Sequence, residues 1–143
     1  MWLALRERLW TSERRHRHGL QDRADCTLCD QEIETSEHLF ARCCYTQQVW
    51  HTVSAMLNIQ NATPAQEISL MDWWLQKREG FNAIKRKGLD STFMLVSWRI
   101  WKERNDRVFS RTTEKNPAEL AQVISEEVHL WCAADAKFLS TLG

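Results

Sequence analysis

Four side chains that bind soft metals fall within a stretch of 18 residues: Cys26, Cys29, His38 and Cys43, spaced C-x2-C-x8-H-x4-C. No other feature constrains the fold of this chain as strongly. Two cysteines two apart can place both sulfurs about 2.3 Å from one Zn2+ across a tight knuckle. A histidine and a cysteine five residues apart can complete a tetrahedron from the start of a helix. Four protein ligands leave no open position for water, so this chemistry favours a structural ion over a catalytic one. Cys44 adjoins Cys43 and competes with it for the fourth position. Cys132 stands alone in an apolar segment and reads as core. Five cysteines, an odd number, point away from a disulfide scaffold.

Around this knuckle the pattern is helical. The chain holds 4 glycines and 2 prolines in 143 residues, too few for a turn-rich all-β fold. Residues 2–19 read as a basic amphipathic helix with Trp2, Leu5 and Leu9 on one face and Gly19 as its stop. Residues 25–37 carry five acids and no lysine or arginine and read as a loop. Thr35 or Ser36 caps a helix that begins near His38, carries Leu39, Phe40, Val49, Trp50, Val53 and Leu57, and fades near Asn58. Ser69 or Asp72 opens a short helix with Leu70, Trp73 and Trp74. Gly80 and Gly88 are expected to bracket a mobile basic segment, Lys85-Arg86-Lys87. Asp90 or Ser91 then caps a helix over 92–109, apolar nearly all round at its start and hence expected to be central and buried. Asn116-Pro117 begins the last helix, with a stripe of Leu120, Val123, Ile124, Val128, Trp131 and Phe138. Trp98, Trp101 and Trp131 are expected in the core. The expectation is one mainly α domain over 1–143, of four to five helices with a small zinc knuckle: a basic N-terminal helix in 1–24, the zinc segment and its helix in 25–58, and a helical part over 68–142.

Lysine and arginine number 19, aspartate and glutamate 19, so the formal charge is zero. That zero is the cancellation of alternating blocks: +3 over residues 1–23, −6 over 24–76, +6 over 77–111 and −3 over 112–143. Any nucleic-acid role must therefore rest on local clusters, and two qualify: Arg14, Arg15 and Arg17, and Lys85, Arg86 and Lys87. A tryptophan beside arginine is suited to stack on unpaired bases. The plainer reading makes these charges solvated helix faces.

The segment CTLCDQEIETSEHLFARC followed by QQVW resembles the zinc-binding region of plant LINE-type (non-LTR) reverse transcriptases, which lies in the tail behind the polymerase. The upstream LWTSERRHRHGLQD and the downstream WWLQKRE and KRKGLDSTFMLVSWRIWKERNDRVF are similar to the flanks of that region. By position the resemblance assigns Cys26, Cys29, His38 and Cys43 as metal ligands; the doubled cysteine at Cys44 departs from its pattern. It implies a fragment of such an element or a host gene derived from one.

No segment resembles the polymerase palm or an endonuclease, and no P-loop or catalytic triad order is present, so no enzyme is expected. Two functions compete. One is a non-catalytic zinc module that binds RNA or single-stranded DNA. The other is a domesticated module for protein interaction or self-association in plant defence, reproduction or regulation, with Trp10, Trp73 or Trp74 at its surface. Arg104 and Asn105, within WKERN, have a structural alternative: bonding to the zinc module. Neither a signal-peptide core nor a membrane span is apparent, since Arg6, Glu7 and Arg8 break the short apolar start. An intracellular protein of the nucleus or cytoplasm is expected.

Overall fold

In the computed structural model, residues 9–59 and 68–134 are described. Five α-helices and one π-helical turn make up the ordered elements among them. They are α1 (Ser12–Arg17), the π-turn (His38–Arg42), α2 (Cys44–Met56), α3 (Leu70–Arg78), α4 (Ala83–Val108) and α5 (Pro117–Ala134). No strand occurs among the described residues; one antiparallel bridge joins Asp25 to Ile33. The mainly helical fold expected from the sequence is what forms.

Local chemistry explains most of the boundaries. The Thr11 hydroxyl accepts the Arg14 N–H, and Gly19, at φ +71°, turns the chain away after α1. The first helix is thus shorter than expected: Thr11 caps it, so Leu9 and Trp10 precede it, while residues 1–8 lie outside the described set. Ser69 caps α3 by accepting the Asp72 N–H at 3.1 Å. Asn58, at φ +56°, ends α2 where the apolar pattern fades. Asn116 and Glu119 form a reciprocal capping box at α5, with N–H to carboxyl or amide oxygen distances of 2.8 and 3.2 Å.

Helix α4 overturns two expectations. It starts at Ala83, not near Thr92, because the Asn82 side chain accepts the Lys85 N–H at 2.9 Å. Lys85, Arg86 and Lys87 therefore sit exposed on its first turns rather than in a mobile segment, and Gly88 lies buried inside the helix. Nor is α4 buried all round. Phe93, Leu95, Val96 and Ile100 face the core, while Met94 and Trp98, one turn apart, are 56% and 57% exposed. Period and packing agree here: a helix between two neighbours buries one broad stripe, and these two residues fall off it.

The core forms where α2 packs on α5. Val49, Trp50 and Val53 belong to the same buried cluster as Leu120, Ala121, Ile124 and Val128. An aromatic group extends it toward α3 and α4: Trp50, Trp73 and Phe93 have ring centroids 5.3 to 6.0 Å apart, and Trp74 stacks on Phe93 at 5.6 Å. Trp73 is thus interior rather than a surface residue, and Trp131 is exposed rather than core. Trp101 is half-buried against this cluster, and Phe138 lies outside the described residues. An Arg99–Glu127 ion pair links α4 to α5 at the edge.

Candidate metal centre

The knuckle is a short loop folded back on itself. The Cys26 N–H donates to the Glu32 carbonyl at 2.7 Å, and the Asp30 N–H donates to the Cys26 carbonyl at 2.8 Å. Asp30 takes the left-handed backbone, φ +56°, that this tight closure needs. Cys26 and Cys29 project from it toward the next element. There the Thr35 hydroxyl accepts the His38 N–H at 3.1 Å and sets the start of the π-turn.

The turn is π rather than α for a reason tied to the site. In an α-helix, residues five apart are rotated about 140° from each other around the axis. His38 and Cys43 would then face apart. Instead the Cys43 N–H donates to the His38 carbonyl, five residues back, at 2.6 Å, and Cys43 itself is extended at φ −57°, ψ 133°. The single helix expected from His38 to Leu57 is therefore split at Cys43. Two side chains of α2 take up carbonyls freed by the split: the buried Thr46 hydroxyl donates to Leu39 at 2.5 Å, and the Gln47 amide donates to Ala41.

Cys26, Cys29, His38 and Cys43 converge, with one donor atom from each lying within 4.8 Å of all the others. The Cys26 and Cys43 sulfurs are 3.8 Å apart, and Cys29 Sγ is 3.3 Å from His38 Nε2. A tetrahedron with Zn–S bonds of ~2.3 Å has edges of about 3.8 Å, so this donor set and spacing fit zinc. Glu32 places a carboxylate oxygen 3.4 Å from His38 Nδ1, on the side away from the sulfurs. The Nδ1 atom makes no hydrogen bond at this distance, while Nε2 faces the Cys29 sulfur. Cys44 is exposed and falls outside the converging set.

The buried Cys26 thiol donates a hydrogen bond to the Cys43 sulfur. A hydrogen bond from Cys26 holds the Cys43 thiol far below its usual range, at about 4, with a further contribution from His38. The same bond, together with burial, pushes Cys26 up, and burial also raises Cys29. Zinc would bind the three cysteines as thiolates and displace their protons.

A residue not singled out in the sequence fixes the knuckle to the rest of the fold. Glu34 is fully buried. Its Oε1 accepts the Ser12 N–H at 2.7 Å and the Arg104 Nε–H at 3.0 Å, and its Oε2 accepts the Thr27 N–H at 3.2 Å. One carboxylate therefore joins α1, the knuckle and α4. Arg104, also buried, reaches the Ser12 hydroxyl at 3.4 Å and lies 5.0 Å over the Trp101 ring. Of the two residues suspected of bonding to the zinc module, Arg104 does so, while Asn105 accepts from Arg104. Glu37 adds a second strut by accepting the Leu70 N–H of α3 at 2.7 Å.

The two basic clusters differ in their surroundings. Arg14 lies with its guanidinium 4.3 Å over the Trp10 ring, Arg15 donates to Gln21 at 2.9 Å, and Arg17 sits 3.7 Å from Glu13. Arg86 donates to the Arg78 carbonyl at 3.0 Å, with Lys85 and Lys87 exposed beside it.

Against known proteins, the family model described as zinc-binding in reverse transcriptase matches residues 1–50. No curated protein and no solved structure matches the chain. The matched stretch contains all four converging ligands and α1. Residues 1–50 are thus similar to the zinc-binding region of reverse transcriptases, and the similarity covers 50 of the chain's 143 residues. No described helix is long and apolar enough to cross a membrane.

Proposed function

We propose that this chain is a non-catalytic, zinc-organised module from the tail of a plant LINE-type reverse transcriptase, and that it holds RNA or single-stranded DNA. Cys26, Cys29, His38 and Cys43 would carry one Zn2+, which supplies a fixed tetrahedral anchor and no reacting centre. The observation that carries the reading is the attachment of α1 to that anchor. Glu34 joins the N-terminus of the arginine-rich helix directly to the metal loop, so folding the knuckle presents Arg14, Arg15 and Arg17 in a fixed pose. Lys85, Arg86 and Lys87 offer a second patch for phosphates.

The test combines metal content with binding on one preparation. Cys43→Ser should drop zinc below one ion per chain, while Cys44→Ser should leave it unchanged. Binding to a labelled single strand should weaken steeply as salt rises, with a slope that becomes shallower when Arg15 and Arg17 are changed to Gln. No binding at low salt to either RNA or DNA would overturn the nucleic-acid reading.

Self-association is a second reading, favoured by apolar side chains left at the surface. Met94 and Trp98 on α4 and Leu130, 67% exposed, on α5 bury little within one chain. Light scattering that returns a dimer, reduced to monomer by Trp98→Ser, would support it over a purely monomeric binder.

A further inference from the structure

Trp10 is 45% exposed and takes no part in the buried cluster. It is nonetheless held from two sides. The Arg14 guanidinium lies 4.3 Å from its ring centroid, and the His18 ring meets it edge-on at 5.5 Å and 71°. The three residues stand four apart in sequence: Trp10 just before the short helix α1, Arg14 within it and His18 at its C-cap, with the helix start fixed by Thr11 and, through Ser12, by Glu34. Arg15, His16 and Arg17 lie between Arg14 and His18 in the sequence. The acid on this helix, Glu13, lies next to Arg17.

From this arrangement we infer that the Trp10–Arg14–His18 stack is a platform for one unpaired nucleobase, a site that rests on the nucleic-acid reading above and specifies its ligand. An indole and a guanidinium plane both stack on bases, and every base has a π-face, so the platform selects strandedness rather than sequence. A base brings flanking phosphates, which the neighbouring arginines complement. The indole is already immobilised by its two neighbours, so little side-chain freedom is lost when a base lands. A base inside a duplex is stacked on both faces and cannot use the site.

The test uses the zinc-loaded full chain and three labelled probes of equal length: oligothymidylate, oligouridylate, and an abasic strand that keeps the phosphates and lacks the bases. Wild-type protein should bind the two base-bearing probes about 5- to 150-fold more tightly than the abasic one. Trp10→Ala should remove that preference while leaving abasic binding and zinc content unchanged, and Trp10→Phe should retain part of it. Persistence of the preference for base-bearing over abasic strands in Trp10→Ala would overturn the platform. Equal binding of abasic and base-bearing strands by wild type would overturn it too, without any variant, and would leave a phosphate-only form of the nucleic-acid reading standing. Binding of none of the probes would remove both.

Discussion

Glu34 has both carboxylate oxygens committed to partners from three different parts of the chain: Ser12, Thr27 and Arg104. Neither it nor Arg104 is open to water, with side-chain exposures of 0% and 2%. Burying such a pair is costly, and the geometry must repay it; removing one partner leaves an uncompensated charge inside the protein. Glu34→Gln should therefore destabilise the zinc-loaded protein by about 3–5 kcal/mol, read from urea unfolding. The exposed Arg23–Asp25 pair offers a control, since Asp25→Asn should change the same measurement by less than its error. A similar small effect for Glu34→Gln would mean that the buried pair does not hold the knuckle in place. The sequence could not mark Glu34 out from the other acids of its segment. Its burial depends on Arg104, 70 residues away, and no local pattern encodes that pairing. The ligands themselves were legible because their spacing is local.

At the scale of elements, the boundaries written in capping chemistry were readable: Ser69, Asn116-Pro117, Gly19 and the end of α2 at Asn58. Two others were not, for different reasons. The split at Cys43 arises because His38 and Cys43 must face one point, a demand that overrides the helical pattern on either side. The start of α4 was ambiguous because Asn82 and the Asp90-Ser91 pair both satisfy the rule for a helix start, with Gly88 between them as an apparent breaker. In the fold, Asp90 instead pairs with Arg78 of α3 at 3.1 Å, and Leu89 is buried. That packing carries the helix through Gly88 and back to Asn82. Asn82→Ala should thus cost about 1 kcal/mol and speed amide exchange over the first turns of α4. Ser91→Ala should do neither. The opposite result, with Ser91 sensitive and Asn82 silent, would return the helix start to the later position.

For the molecule as a whole, the question is how far loss of zinc spreads. Cys26 and Cys43 are fully buried and belong to the main core cluster, so the metal site borders the core directly. Yet the packing of α2 on α5 rests on Val49, Trp50, Val53, Leu120, Ala121, Ile124 and Val128, none of which is a ligand. A second polar network braces the same region from the far side of α4: the buried Glu103 accepts from Arg107 and from the Lys115 N–H at 2.9 and 3.1 Å, and the Tyr45 hydroxyl donates to the Lys115 carbonyl at 2.7 Å. These contacts join α2, α4 and the entry to α5 without passing through the knuckle. Burial of large side chains such as Trp50 contributes ~1.5–3 kcal/mol each and does not depend on the ion. Chelation should therefore melt the molecule in part. Amides over 24–43 should lose exchange protection first, followed by α1, whose first turn is tied to the loop through Ser12 and Glu34. Amides of α2 and α5 should stay protected, and most of the helical far-ultraviolet signal should survive. Under the proposed function the same treatment should abolish strand binding, because the arginine helix loses its anchor while the core persists. Complete loss of helical signal on chelation would show that the zinc site holds the whole fold together, and that the α2–α5 core cannot stand without it.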